Sequence, residues 1–192
     1  MMEQFQYEHL LIFCLVLTAS FALVLYLLPR LLLGVYKRAI LNRGFGEGPV
    51  PINTLYIEPK ELFKDPIKAS GSKLMTTGVN RDTLMILGWL DLSMGPKVLQ
   101  VPDMGERYYS VHFTDPSKNV NFAYVGKRTT GTKPGEYLIC GPNWKGILPL
   151  EISKISSPNN SVLVVGRVLV YNENDISKAH ELAQQIKLFD MK

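Results

Sequence analysis

From Leu10 to Pro29 the chain runs through 20 consecutive uncharged, mostly apolar residues, LLIFCLVLTASFALVLYLLP. Wound as a helix, a run of this length crosses the ~30 Å hydrocarbon core of a bilayer. A helix packed into a soluble core carries a polar stripe, and this run offers only Thr18 and Ser20. A cleaved signal peptide opens on a basic segment and closes on a small-x-small exit. Here Glu3 and Glu8 precede the run and Leu-Pro-Arg-Leu-Leu-Leu follows it. The pattern predicts an uncleaved single-pass anchor over residues 1–41, its membrane helix at about 10–29, with Tyr7, Tyr26 and Tyr36 at the interfaces. Arg30, Lys37, Arg38 and Arg43 lie after the run, so the positive-inside rule puts the rest of the chain in the cytoplasm.

Beyond a linker at 42–53 the period changes. Eleven of the twelve prolines fall between Pro49 and Pro158, and with glycine they cut that stretch into segments of strand length. Strands are predicted at Asn53–Ile57, Thr83–Leu92, Lys97–Val101, Arg107–Thr114, Asn121–Val125, Glu136–Cys140, Glu151–Ile155 and Ser161–Tyr171. Alternation is clearest where Tyr109, Val111 and Phe113 take the core face and Tyr108, Ser110 and His112 the other. The long Val- and Leu-rich Ser161–Tyr171 run predicts a central strand buried on both faces except at Arg167. Turns are expected at Ser93–Pro96, Asp103–Glu106, Asp115–Lys118 and, as a type II turn with Pro and Gly central, Lys133–Glu136. Ile176, Ala179, Leu182, Ala183 and Ile186 recur at helical spacing, with Asn174 or Asp175 as N-cap and Lys187 in the last turn. A shorter helix is expected from Pro59 to just before Asp65. The domain, residues 54–192, therefore reads as an all-β sandwich closed by one amphipathic helix.

Charge narrows the function classes. The chain has 21 basic and 17 acidic residues; without Arg30, Lys37, Arg38, Glu3 and Glu8 of the anchor, the remaining 151 residues keep 18 and 15. The basic residues are scattered, which excludes a nucleic-acid footprint, and the apolar content excludes a disordered chain. Cys14 sits in the anchor and Cys140 is the one thiol of the domain, so no intradomain disulfide reports an oxidising compartment.

Chemistry is sparse. His112 and His180 are the domain's two histidines, too few for a zinc or facial-triad site, and no metal is expected. Gly44-Phe45-Gly46-Glu47-Gly48 follows no strand and opens no helix, so it reads as linker rather than phosphate loop, and no cofactor is expected. Ser110, His112 and Asp115 have the residue types of a triad, but no G-x-S-x-G elbow accompanies them. The polar residues embedded in apolar surroundings carry more weight: Asn80-Arg81-Asp82, Asp91, Arg107, Asp115, Arg128-Thr129-Thr130 and Arg167. One reading pairs Arg107 and Arg167 with Asp82, Asp91 or Asp115 as scaffold, since an unpaired buried charge is costly. The other is a cleft at one end of the sandwich. There Asn80, Arg81, Arg107, Arg128 and Thr129 would hold an anionic or polyhydroxyl ligand against Tyr108, Tyr109 or Trp144, with Asp82, Asp115 or His112 as candidate acid or base. Trp89 and Trp144 also read as simple core packing.

A series of ordered strings then stands out: Asn80-Arg81-Asp82-Thr83-Leu84, Gly88-Trp89-Leu90-Asp91-Leu92-Ser93, Gly95-Pro96, Val101-Pro102-Asp103 and Arg107-Tyr108-Tyr109-Ser110-Val111. It continues with Gly126-Lys127-Arg128-Thr129-Thr130-Gly131-Thr132, Gly141-Pro142-Asn143-Trp144-Lys145-Gly146, Ser157-Pro158 and Gly166-Arg167. Over about Thr54 to Leu188 these resemble the bacterial proteins grouped as domain of unknown function family 1254. The resemblance implies a mainly β, jelly-roll-like antiparallel β-sandwich, often behind a signal or anchor segment and outside the cytoplasm, with no settled activity. Val79 stands where the family usually has Pro, and Met85 where Tyr commonly follows Asp-Thr-Leu, so no ligand role passes to that Tyr. Many relatives continue into a second β domain of a family grouped under 1214, whereas this chain stops just after its helix. The expectation is a membrane-anchored binding or assembly subunit, its partners the lipid bilayer and a small membrane protein carrying the second β domain. Residues 42–192 alone would then be unstable or self-associate through an apolar patch. A hydrolase using the Arg/Asp cleft and a carbohydrate-binding module are the rival readings.

Overall fold

A computed structural model describes residues 2–43, 48–60 and 82–191. It divides into two compact units, Met1–Arg38 and Ala39–Lys192. The first unit is helical. Helix α1 spans Met2–Arg43, longer than the predicted 10–29, and continues through Pro29. Residues 7–32 are exposed throughout, and the stretch Tyr7–Asn42 is long and apolar enough to cross a membrane. Just past Pro29 the Arg30 guanidinium folds back, donating to the Tyr26 carbonyl at 3.1 Å and lying 3.6 Å from the Tyr26 ring centre.

The second unit is mainly β. Its strands are β1 Leu55–Ile57, β2 Thr83–Asp91, β3 Lys97–Val101, β4 Tyr109–Asp115, β5 Val120–Gly126, β6 Gly135–Cys140, β7 Ser153–Ser156, β8 Ser161–Leu169 and β9 Lys187–Asp190. Helix α2, Ile176–Gln185, follows a 3-10 turn at Glu173–Asp175. One sheet has the order β1-β2-β8-β4-β5, antiparallel throughout; the other has the order β7-β6-β3-β9. The sequence expectation of a wholly antiparallel fold needs one correction, because β6 and β7 run parallel. The link between them, residues 141–152, is about the dozen residues that a parallel return requires.

Alternation builds one core. Leu84, Ile86 and Leu90 of β2, Tyr109, Val111 and Phe113 of β4, and Val162, Val164 and Val168 of β8 meet Leu99 and Val101 of β3 and Tyr137 and Ile139 of β6. Ile176, Ala179, Ala183 and Ile186 of α2 belong to the same cluster, and the helix packs on β1, β2 and β8. On the opposite face of the five-stranded sheet Leu87, Trp89 and Leu163 are also buried, which is why β2 and β8 read as nearly continuous apolar runs. Strand β8 is central, and Arg167 is its exposed position, as the sequence predicts.

Three further expectations change. Lys187 does not close the last helical turn but opens β9, which pairs with β3 and brings Asp190 into an ion pair with Lys97. Neither Asn174 nor Asp175 caps α2 with its side chain. Asn172 instead accepts from the Asn174 N–H at the start of the 3-10 turn. Gly135 has no positive φ and begins β6, so Lys133–Glu136 is no type II turn; the left-handed residue of that loop is Gly131, at φ 83. The other turns hold, with Gly95 and Gly105 at positive φ and the Asp103 and Asp115 carboxylates accepting the N–H groups two residues on. The short helix expected after Pro59 lies outside the described residues from 61 onward.

Candidate functional site

Strand pairing decides which polar residues meet. On β4, Ser110 and His112 point away from the core, and register sets Ser110 between Gly126 and Arg167, and His112 between Tyr124 and Val165. The β5–β6 loop rises beside this row. The Thr129 and Thr130 N–H groups both donate to the Gly126 carbonyl, at 3.0 and 2.9 Å, and the Thr129 hydroxyl donates to the Tyr124 and Gly126 carbonyls, at 3.2 and 3.3 Å. Gly126 is required here, because a Cβ would stand 2.6 Å from the Tyr109 carbonyl oxygen and 2.9 Å from Ser110 Cα.

The result is a cavity of about 350 Å³ lined by Tyr108, Tyr109, Ser110, His112, Tyr124, Val125, Gly126, Arg128 and Thr129. His112 and Tyr124 meet edge to face, ring centres 4.9 Å apart. Tyr124 is fixed by the Asn121 side-chain amide, which donates to its hydroxyl at 2.9 Å. The Arg128 guanidinium lies 5.4 Å from the Tyr108 ring centre, and the Tyr108 hydroxyl donates to Ser110 Oγ at 3.4 Å. Among the described residues no carboxylate pairs with Arg128 or lines the cavity. Burial, and secondarily the charge of Arg167, hold the His112 pKa below its ordinary value. Nearby in charge, burial pushes the Glu58 carboxyl up, partly offset by the Met85 N–H that it accepts at 3.0 Å and by Arg167.

Of the residues expected at a cleft, Tyr108, His112, Arg128 and Thr129 come together. Arg107 does not join them. It is buried, and its two terminal nitrogens donate to the two Asp175 oxygens at 2.5 and 2.6 Å, with a third bond to the Leu169 carbonyl at 2.6 Å. For Arg107 the pairing expected with Asp82, Asp91 or Asp115 is therefore replaced by one with Asp175, while the carboxylate that feels the Arg167 charge is Glu58. Tyr109 turns its ring into the core and donates to the Gly131 carbonyl at 3.0 Å. Asp82 is exposed beside β2. Asp115 closes the opposite end of β4, where its carboxylate accepts from the Ser117 N–H and hydroxyl at 2.9 and 2.7 Å. Burial raises its pKa, but Ser117 and Asn159 outweigh this and leave it below the ordinary carboxylate value. Ser110, His112 and Asp115 thus form no triad. Trp144 is used by its own loop: a Cβ on Gly146 would lie 2.5 Å from the indole, and Lys154 Nζ sits 5.2 Å from the ring centre. Asn80 and Arg81 lie outside the described residues. Tyr124 is the cavity residue that sequence reasoning missed. Carried back unbroken from the Asp115–Val120 pair, the hairpin register puts Ala123 opposite His112; the register shift between Phe113 and Thr114 brings Tyr124 there instead.

A family model described as protein of unknown function (DUF1254) matches residues 65–189, about two-thirds of the chain and all of the cavity. The chain belongs to the DUF1254 family. Among solved structures, it is similar to the VPA0106 protein from Vibrio parahaemolyticus, at 27% identity and a TM-score of 0.57 over 69% of this chain and 35% of that one. An uncharacterised protein from Burkholderia cenocepacia aligns at 10% identity and a TM-score of 0.39, over 62% of this chain and 31% of that one. This DUF1254 chain therefore spans about a third of the length of the solved structures it matches. No curated protein matches it.

Proposed function

We propose that this DUF1254 protein is a membrane-anchored binding protein that takes a small organic anion, a carboxylate on a flat apolar body, in the cavity between β4 and β5. The observation that carries the reading is Arg128, with no carboxylate partner among the described residues, over the Tyr108 ring and beside His112 and Tyr124. A guanidinium binds a carboxylate in a two-pronged fashion, and the aromatic walls accept the body of the ligand. Helix α1 would hold the protein to the bilayer, and the two sheets are read as a jelly-roll-type sandwich. A hydrolase reading finds less support, because Asp82 and Asp115 stand away from the cavity. The carbohydrate reading loses Trp144 as a free stacking platform.

Calorimetric titration of the full chain in mild detergent, with benzoate and larger aromatic carboxylates against uncharged sugars, tests the proposal. Saturable carboxylate binding lost in Arg128→Gln and kept in Asp82→Asn is expected. Binding that survives Arg128→Gln, or none to any carboxylate, sinks it. Assembly with a separate membrane protein carrying a second β domain is the second reading. Affinity extraction in detergent followed by mass spectrometry tests it, and recovery of this chain alone would count against it.

A further inference from the structure

Strand β8 carries a second cation on the face of the sheet that holds the cavity. Arg167 is exposed, whereas Gly166 and Val168 on either side of it are buried. Its register partners are Met85 on β2 and Ser110 on β4, and directly paired residues of neighbouring strands share a face. Ser110 lines the cavity, and on its other side the register sets Gly126, two residues before Arg128. Arg167 and Gly126 thus flank Ser110 from strands two spacings apart, about 10 Å. After burial, the charge of Arg167 is what lowers the pKa of His112, the imidazole of the cavity wall.

The charge opposing Arg167 stands on its other side. Glu58 follows β1, beyond Met85, and its carboxylate accepts the Met85 N–H at 3.0 Å. No ion pair joins Glu58 to Arg167, and among the described residues no other carboxylate pairs with that guanidinium. Between the two arginines lie Ser110 and His112, with Val165 of β8 paired to His112, a floor suited to a flat ring. We infer that Arg167 is a second anion anchor of this cavity and that the ligand is a rigid dicarboxylate, one end on Arg128 and the other on Arg167; this rests on the carboxylate reading of the cavity.

The full chain in mild detergent is titrated calorimetrically with benzoate, terephthalate and phthalate. The last two carry the same charge, but only terephthalate holds its carboxylates at opposite ends of the ring. Terephthalate is expected to bind at least about fivefold more tightly than phthalate, the equivalent of one partly screened charged contact. Arg167→Gln should abolish that preference and leave benzoate within about twofold of the parent. Arg167→Lys should keep part of the preference, which separates the charge from any loss of folding in Arg167→Gln. Equal affinity for terephthalate and phthalate, or a preference that survives in Arg167→Gln, overturns the second anchor, while retained benzoate binding leaves the Arg128 reading standing. An Arg167→Gln chain that weakens all three ligands alike also counts against it. Binding of none of the three overturns the Arg128 reading itself and this inference with it.

Discussion

Removing the Arg107 guanidinium is the sharpest test of what holds the five-stranded sheet to the 3-10 turn. Arg107 is 5% exposed and its partner's side chain 13%, so this pair is shielded where a surface bridge would not be. In Arg107→Met the aliphatic volume stays, but Asp175 keeps only the Tyr171 N–H, at 2.9 Å, and the Leu169 carbonyl loses its guanidinium donor. Breaking a buried pair from one side costs about 3–5 kcal/mol, a fall of roughly 6–20 °C in unfolding midpoint for a domain of this size. The assay is thermal unfolding of the full chain in mild detergent, followed by Trp89 fluorescence. The double variant Arg107→Met/Asp175→Asn should recover part of the loss, because the stranded charge is gone. The pH dependence adds a second check. The Arg107 hydrogen bonds, ahead of every other influence, hold the Asp175 carboxyl below its ordinary range. Its contribution is present above the unfolded pKa near ~4 and lost as pH falls through the lower folded value. The Arg107→Met chain should lose less on acidification through that window. A loss below about 1 kcal/mol, the level of an exposed pair, together with an unchanged acid limb, would refute the reasoning.

Other outcomes follow from single contacts. The His112 pKa is lowered by burial, so the unfolded chain takes up a proton first and stability falls as pH drops from about 6.5 through the lower folded value; His112→Gln should flatten that limb in a pH series of melts. Gly126→Ala forces a Cβ into the Tyr109 carbonyl and should destabilise by about 1–3 kcal/mol, measured as a lower unfolding midpoint. Leu150→Asp touches no core residue and should stay within about 0.5 kcal/mol of the parent in the same assay.

What could be read from the sequence was whatever its local pattern determines. Strand β3 matches its expected bounds, and β2, β4, β5, β6 and β8 lie within two residues of theirs, because two-residue alternation and flanking turn residues are local signals. The ten-residue helix α2 is legible for the same reason. Strand β9 is not: four residues after a helix are too few to show a period, and Lys187 fits a helical end as well as a strand. The direction of β7 is also illegible, since pairing partners are a property of the sheet rather than of the strand.

The same division governs the polar residues. In sequence Arg107 stands before Tyr108-Tyr109 and Arg128 between Lys127 and Thr129, each next to a strand, yet their positions relative to the strands give them opposite fates. Arg107 precedes β4, within reach of the Asp175 carboxylate 68 residues further on, and that distance is why no local pattern announced the pair. Arg128 stands two residues past the end of β5, where Gly126 lets the turn close against β4. That placement leaves the guanidinium over Tyr108 with no carboxylate partner among the described residues. The Arg107 charge is satisfied inside the fold and bears on stability, whereas Arg128 is exposed at the cavity and its ligand role is what the proposal adds. The Arg107 melts and the Arg128 titrations therefore separate along that line: Arg128→Gln should alter carboxylate binding without moving the unfolding midpoint, and Arg107→Met should lower the midpoint.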